Sequence, residues 1–141
     1  MRIREAMTLD PVTIGPNHSI GAALTRMRNG GFRRLPVVDK GKLVGIITDR
    51  DLRLAMNSPY IIREGWYDSY LMEHIEVRSC MTVNPITLDA DASLLSAVRT
   101  MREHTIGGIP VTEKGALVGI ITETDLLNYL EQLLMAKEAV H

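Results

Sequence analysis

Apolar residues fall in two different rhythms along this chain. After Ser19, the residues Ile20, Ala23, Leu24 and Met27 recur at helical spacing, and after Ser93 so do Leu94, Ala97, Val98 and Met101. Residues three and four apart share one face of a helix, so both stretches predict amphipathic helices with the serines as N-caps. Gly30-Gly31 supplies a stop for the first helix, whereas the second meets no glycine until Gly107-Gly108. Other runs are short, apolar and β-branched: Leu35-Pro36-Val37-Val38, Leu43 to Ile47, Ile109-Pro110-Val111-Thr112 and Leu117 to Ile121. These predict strands. Asp39-Lys40-Gly41-Lys42 and Glu113-Lys114-Gly115-Ala116 lie between them and predict tight turns, with Gly where φ must be positive. Pro36 and Pro110 lack a donor, so their strands should carry an edge or a bulge there. Pro11 to Ile14 and Pro85 to Leu88 read as short extended stretches.

The pattern occurs twice. Residues 7–53 return as 81–127 at a constant offset of 74, and 20 of the 47 aligned positions are identical. Each copy reads strand, helix, strand, strand, helix, which predicts an α+β fold of two similar halves. One half alone is near the size at which a core becomes marginal, so the halves are expected to share a buried face. Between them, Pro59-Tyr60-Ile61-Ile62, Trp66, Tyr67 and Tyr70 make the segment too apolar for disorder. A short helix is expected over 64–74. The division expected is 1–60, a linker at 61–76, and 77–141. Leu126, Leu127, Leu130, Leu133 and Leu134 form a broad apolar stripe on the last helix and suggest a partner surface.

Each copy carries one local motif with chemistry in it. Gly45-Ile46-Ile47-Thr48-Asp49-Arg50-Asp51 returns as Gly119-Ile120-Ile121-Thr122-Glu123-Thr124-Asp125. A buried strand ends, a Thr caps a helix, and an Asp follows in the first turn. Free N–H groups and the helix dipole there suit an anion. A hydroxyl can donate to phosphate or ribose, and a carboxylate can accept from a diol. Gly45 and Gly119 leave room for a ligand or for another backbone. The same letters also spell a helix-capping box, a purely structural device.

Composition removes several classes. A net charge of -1 argues against nucleic acid. No apolar run approaches membrane-spanning length. The N-terminus shows no signal-peptide h-region, and a single cysteine, Cys80, fits a reducing cytosol, so a cytoplasmic location is expected. His18, His74, His104 and His141 show no ligand spacing with one another or with Cys80, so no metal site is expected. No catalytic constellation is present, and no enzyme activity is expected.

The tandem Gly-h-h-Thr-x-x-Asp ends, the Leu-Pro-Val-Val and Ile-Pro-Val-Thr strands, and the opening Met-Thr-x-x-Pro resemble a cystathionine-β-synthase (CBS) domain pair. The resemblance runs from about Met7 to the last helix. It implies β-α-β-β-α repeats packed as a pseudo-twofold pair, with two clefts between them. It further implies adenosyl ligands (AMP, ADP, ATP or S-adenosylmethionine), a homodimer through the helices, and a regulatory role exerted on an unknown effector protein in trans. By position, Asp51 and Asp125 would hold ribose hydroxyls, and Thr48 and Thr122 ribose or phosphate. Thr13 and Thr87, with Val12, Ile14, Ile86 and Leu88, would line an adenine pocket, and Val37 and Val111 would pack on the base. Arg33 and Arg34 stand where related proteins place a phosphate-binding cation, with Arg50 as a helper. The second copy has Gly107 and Gly108 there, which predicts one good anion site and one weak or silent one. The alternative is an oligomerisation or scaffold module with empty clefts.

Overall fold

The structure is a computed structural model and describes residues 1–56 and 65–139. In chain order it has β1 (Thr8–Leu9), α1 (Ile20–Gly30), β2 (Arg34–Asp39), β3 (Lys42–Thr48), α2 (Asp49–Met56), α3 (Gly65–His74), β4 (Thr82–Val83), β5 (Leu88–Asp89), α4 (Leu94–His104), β6 (Gly108–Glu113), β7 (Ala116–Thr122) and α5 (Glu123–Ala139). One-turn 3-10 helices at Ile3–Glu5 and Val77–Ser79 precede β1 and β4. The chain divides into two compact units. One is Val12–Pro85; the other joins Met1–Pro11 to Ile86–His141.

This cut differs from the division at 60 and 77 that the repeat suggests. Residues 1–11 lead into and open the first copy but belong to the unit of the second, while 75–85 lead into and open the second copy but belong to the unit of the first. The reason is strand pairing. β1 adds antiparallel to β7, with Thr8 opposite Ile120 and Leu9 opposite Gly119. β4 adds to β3 in the same register, with Thr82 opposite Ile46 and Val83 opposite Gly45. Each sheet is thus finished by a strap drawn from the opening of the other copy. The sheet orders are β2-β3-β4 and β1-β7-β6-β5.

Glycine makes the straps possible. A Cβ on Gly119 would stand 2.8 Å from both the Thr8 carbonyl oxygen and the Met7 sulfur. One on Gly45 would stand 2.8 Å from the Thr82 carbonyl and 2.6 Å from the Met81 sulfur. The room beside both glycines is therefore filled by strap backbone and a methionine side chain.

The hairpins form as predicted, with additions. Lys40 and Gly41 have φ of 50° and 80°, and Lys114 and Gly115 have 51° and 82°. Positive φ at both central positions is the type I′ turn that matches strand twist, so a lysine takes a conformation expected only of the glycine. Register shifts fall between Val37 and Val38 and between Val111 and Thr112, one residue past each proline. Pro36 is tolerated because its carbonyl alone is used on its outer side. Ile14 donates its N–H to Pro36 and accepts from Val38. The extended stretch at 11–14 shrinks to that single bridge, Ile14 to Val37, and the one at 85–88 shifts to Leu88–Asp89.

Ser19 and Ser93 cap α1 and α4, each accepting from the N–H three residues on at 3.1 Å. Gly31 ends α1 with φ of 70°, and Thr105 ends α4 at the matching place with φ of 52°. The second helix therefore stops without a glycine. The segment Pro59-Tyr60-Ile61-Ile62 and the side chains of Trp66 and Tyr67 lie outside the described residues. Tyr70 stacks on His74 with ring centroids 4.0 Å apart.

Each unit has its own core. One gathers Ile14, Ile20, Ala23, Met27, Leu35, Val37, Ile47 and Leu52 around Val77 from its strap. The other gathers Leu94, Ala97, Met101, Ile109, Val111 and Ile121 around Ile3 from its strap. Ile3 and Val77 are fully buried. Burying one such side chain contributes about 1.5–3 kcal/mol, so each strap is an integral part of its unit. On α5 no residue is buried; Leu126 and Tyr129 touch the core, while Leu127, Leu130, Leu133 and Leu134 are exposed.

Gly119→Ala is expected to lower the unfolding free energy by roughly 1–3 kcal/mol, the usual cost of overpacking against backbone. Gly119 has no positive φ to complicate the comparison. Denaturant unfolding checks this, and an unchanged midpoint would refute the close approach.

Candidate ligand site at the strand–helix junctions

Both Thr-x-x-Asp motifs sit where predicted, at the ends of β3 and β7 and the first turns of α2 and α5. Both form a reciprocal capping box. Thr48 N–H donates to Asp51 Oδ2 at 2.8 Å, and Asp51 N–H donates to Thr48 Oγ1 at 3.1 Å. The second copy repeats this at 2.8 and 3.3 Å. The structural reading of the motif is therefore true of both copies. It also limits the anion site. The Asp49 N–H donates to the Arg33 carbonyl at 2.8 Å, and the Glu123 N–H to the Gly107 carbonyl at 3.0 Å. Two of the N–H groups expected to be free in each first turn are used, so attraction of an anion falls to side chains.

Beyond the cap the copies part. Asp51 Oδ1 accepts no hydrogen bond from a described residue, and the Thr48 hydroxyl, having accepted from Asp51, still has its proton to give. In the second copy the Thr122 hydroxyl donates to Asp125 Oδ2 at 3.0 Å, and the Thr8 hydroxyl donates to Asp125 Oδ1 at 3.0 Å. Both oxygens of Asp125 are occupied. Thr8 escaped sequence reasoning, although its recurrence as Thr82 was a visible signal.

Charge divides the copies in the same way. Arg34 stands opposite Thr48 in the β2–β3 ladder, Arg33 is exposed with its carbonyl on the start of α2, and Arg50 is exposed in the first turn. The first junction thus carries three arginines and two carboxylates, Asp49 and Asp51, the former 3.8 Å from Arg53. The arginines' counterparts Gly107, Gly108 and Thr124 carry no charge. Where Arg33 has Gly107 as its counterpart, an open depression of about 360 Å³ is lined by Val98, Met101, Ile106 and Leu126, with Arg102 and Glu123 at its margin.

The remaining site residues are rearranged. Ile14, Val37 and Val111 are at most 1% exposed, and all belong to the hydrophobic cores. The two valines, expected to pack on a base, lie in runs of buried residues, Leu35 to Val37 and Gly108 to Val111. Thr13 is half-buried, and its carbonyl accepts from the Arg26 guanidinium; Thr87 is exposed. Val12 and Ile86 beside them are exposed, so they, rather than Ile14, present apolar surface. Cys80 packs against the core, where burial pushes its thiol up and the Asp51 charge adds to the shift. Among the described residues no group of His, Cys, Asp and Glu could hold a metal ion. No described helix is long and apolar enough to cross a membrane.

The CBS domain model matches residues 3–58 and 77–132, again 74 apart. The chain belongs to the CBS domain family. It is 37% identical over 134 residues to a CBS domain-containing protein of Dictyostelium discoideum, covering 94% of this chain and 92% of that one. It spans less than half the length of two further relatives from Methanocaldococcus jannaschii. Among solved structures, CBSX2 in complex with AMP is similar with a TM-score of 0.78 and 25% identity, covering 93% of this chain and 97% of the other. The CBS domain pair of protein MJ0100, in complex with 5′-methylthioadenosine and S-adenosyl-L-methionine, has a TM-score of 0.77 and 27% identity, covering 94% and 97%. The fold is thus a pair of tandem CBS repeats.

Among the described residues, the second CBS unit carries ion pairs on its strap that the first lacks. Arg4 on its strap reaches Asp91 at 2.8 Å and Glu113 at 2.7 Å. In the first unit Asn17 replaces Asp91, and Arg78 pairs instead with Glu76. The hydrogen bond from Arg4 holds the Asp91 carboxyl below its ordinary range. A depressed carboxylate stabilises the fold above its unfolded pKa and loses that contribution as pH falls through the folded value. Asp91→Asn is therefore expected to melt slightly below wild type at neutral pH and to draw level with it in acid, as pH falls through the depressed value. Thermal melts at neutral and acid pH test this, and a gap that persists in acid would count against these ion pairs.

Proposed function

We propose that this CBS pair is a regulatory module that binds an adenine nucleotide at the first copy of the motif, through Thr48 and Asp51, and signals to a partner protein. The observation that carries the reading is the unequal valence of the two copies. At the first, Asp51 Oδ1 and the Thr48 hydroxyl have capacity left for a ribose diol, with Arg33, Arg34 and Arg50 nearby for phosphate. Guanidinium groups favour a 5′-phosphate over a neutral or sulfonium group at that place. AMP, ADP and ATP are therefore preferred to S-adenosylmethionine. The relatives that hold AMP or S-adenosylmethionine support the ligand class. Thr13 with exposed Val12 supplies the surface for the adenine. No step of covalent chemistry is needed.

The second copy favours the scaffold reading for itself, because its polar groups satisfy one another. Thr87 and Ile86 remain exposed there, but no arginine pair stands at its junction. The exposed leucines of α5 offer surface to a second copy of the chain or to the effector.

Calorimetric titration with AMP, ADP, ATP and S-adenosylmethionine tests the proposal. Asp51→Ala is expected to weaken nucleotide binding tenfold or more, on the order of a lost charged hydrogen bond, while Asp125→Ala leaves it within about twofold. Equal losses from both variants, or no heat with any ligand, would refute it.

A further inference from the structure

We infer that Thr8 is a specificity-determining residue of the second copy. Its hydroxyl occupies Asp125 Oδ1, where a ribose hydroxyl would bind, and so closes that copy to nucleosides. The inference rests on the proposed role of the motif aspartates.

Thr8 lies 117 residues before Asp125 in sequence, yet its Oγ1 donates to Oδ1 at 3.0 Å. The strap sets this contact. Thr8 pairs with Ile120, two residues before the capping Thr122, so its side chain arrives beside the first turn of α5. Asp125 Oδ2 is already taken by the N–H and hydroxyl of Thr122. Three of the roughly four acceptor sites are then in use, so a diol, which donates two bonds, must displace at least one of them.

The first copy is an internal control. Thr82 pairs with Ile46 in the same register, yet Asp51 accepts from no strap hydroxyl. The straps differ in their ion pairs. Besides Ile3 in the core, the second unit's strap has the Arg4 ion pairs to Asp91 and Glu113. The corresponding Arg78 pairs within its own strap, with Glu76. The Arg4 ion pairs and the hydroxyl that covers Asp125 belong to the same copy, the one without the arginines.

The experiment has two arms. In the first, AMP is titrated into Asp51→Ala, into Asp51→Ala with Thr8→Val, and into Asp51→Ala with Thr8→Ser. Valine keeps the strand shape without the donor, and binding is expected to tighten about fivefold to tenfold, as for release of one charged hydrogen bond. Serine restores the donor and should match Asp51→Ala alone. In the second arm, amide exchange in nucleotide-free protein should quicken at Leu9 and Asp10 in Thr8→Val, but not at Val83 and Asn84 in Thr82→Val. Unchanged AMP affinity on adding Thr8→Val, while the wild-type chain binds AMP, overturns the inference and leaves the proposed function standing. Equal exchange effects at the two straps overturn it as well. Absence of AMP binding to the wild-type chain removes the proposed function and this inference together.

Discussion

The fold depends on how closely two stretches of backbone approach at Gly45 and Gly119. Each glycine lets a strap lie with its carbonyl where a Cβ would have been. Without that contact, β3 and β7 would end as bare edges, and Val77 and Ile3 would leave the two cores. Because the straps are exchanged, neither repeat is complete as a continuous segment. Each unit closes only when chain from the opening of the other copy arrives. The exchange also has a chemical consequence, since it delivers Met-Thr of each strap to the neighbourhood of the other copy's Thr-x-x-Asp turn.

A duplicated scaffold therefore carries two unlike sites. Copying preserved the letters that make the turn: Thr, Asp, the glycine and the apolar strand. Their geometry is nearly the same twice, since the capping box recurs with bonds of 2.8 Å and then of 3.1 and 3.3 Å. The difference lies in what surrounds the box. Hydrogen bonding is saturable: Thr8 and Thr122 use three of the roughly four acceptor sites of Asp125, and a diol needs two. Charge acts over a longer range, so three arginines at one junction and none of their counterparts at the other bias an anion toward the first. Both effects point the same way.

Much of this was readable from the sequence because local rules were obeyed. The 3.6-residue spacing gave α1 and α4, and Lys-Gly between β-branched runs gave both hairpins. The strap exchange was not readable. Residues 1–11 and 75–85 resemble each other, and β3 and β7 offer the same glycine edge, so pattern alone cannot say which strap meets which sheet. Thr105 in a left-handed conformation was likewise hidden, because tertiary packing imposes a backbone angle that its own preference opposes. At the site, Thr48, Asp51, Thr122 and Asp125 were found by motif and the arginine asymmetry by comparing copies. Val37 and Val111 are assigned to a ligand by resemblance, and in the fold both are buried in the cores. The saturation of Asp125 needed coordinates, since its partner is 117 residues away.

The central claim is that one copy binds and the other is closed. A crystal structure of the chain grown with AMP tests it most directly. The account expects one nucleotide per chain, its ribose on Asp51, with the Thr8 to Asp125 hydrogen bond intact. A nucleotide whose ribose sits on Asp125, alone or together with one on Asp51, would contradict it.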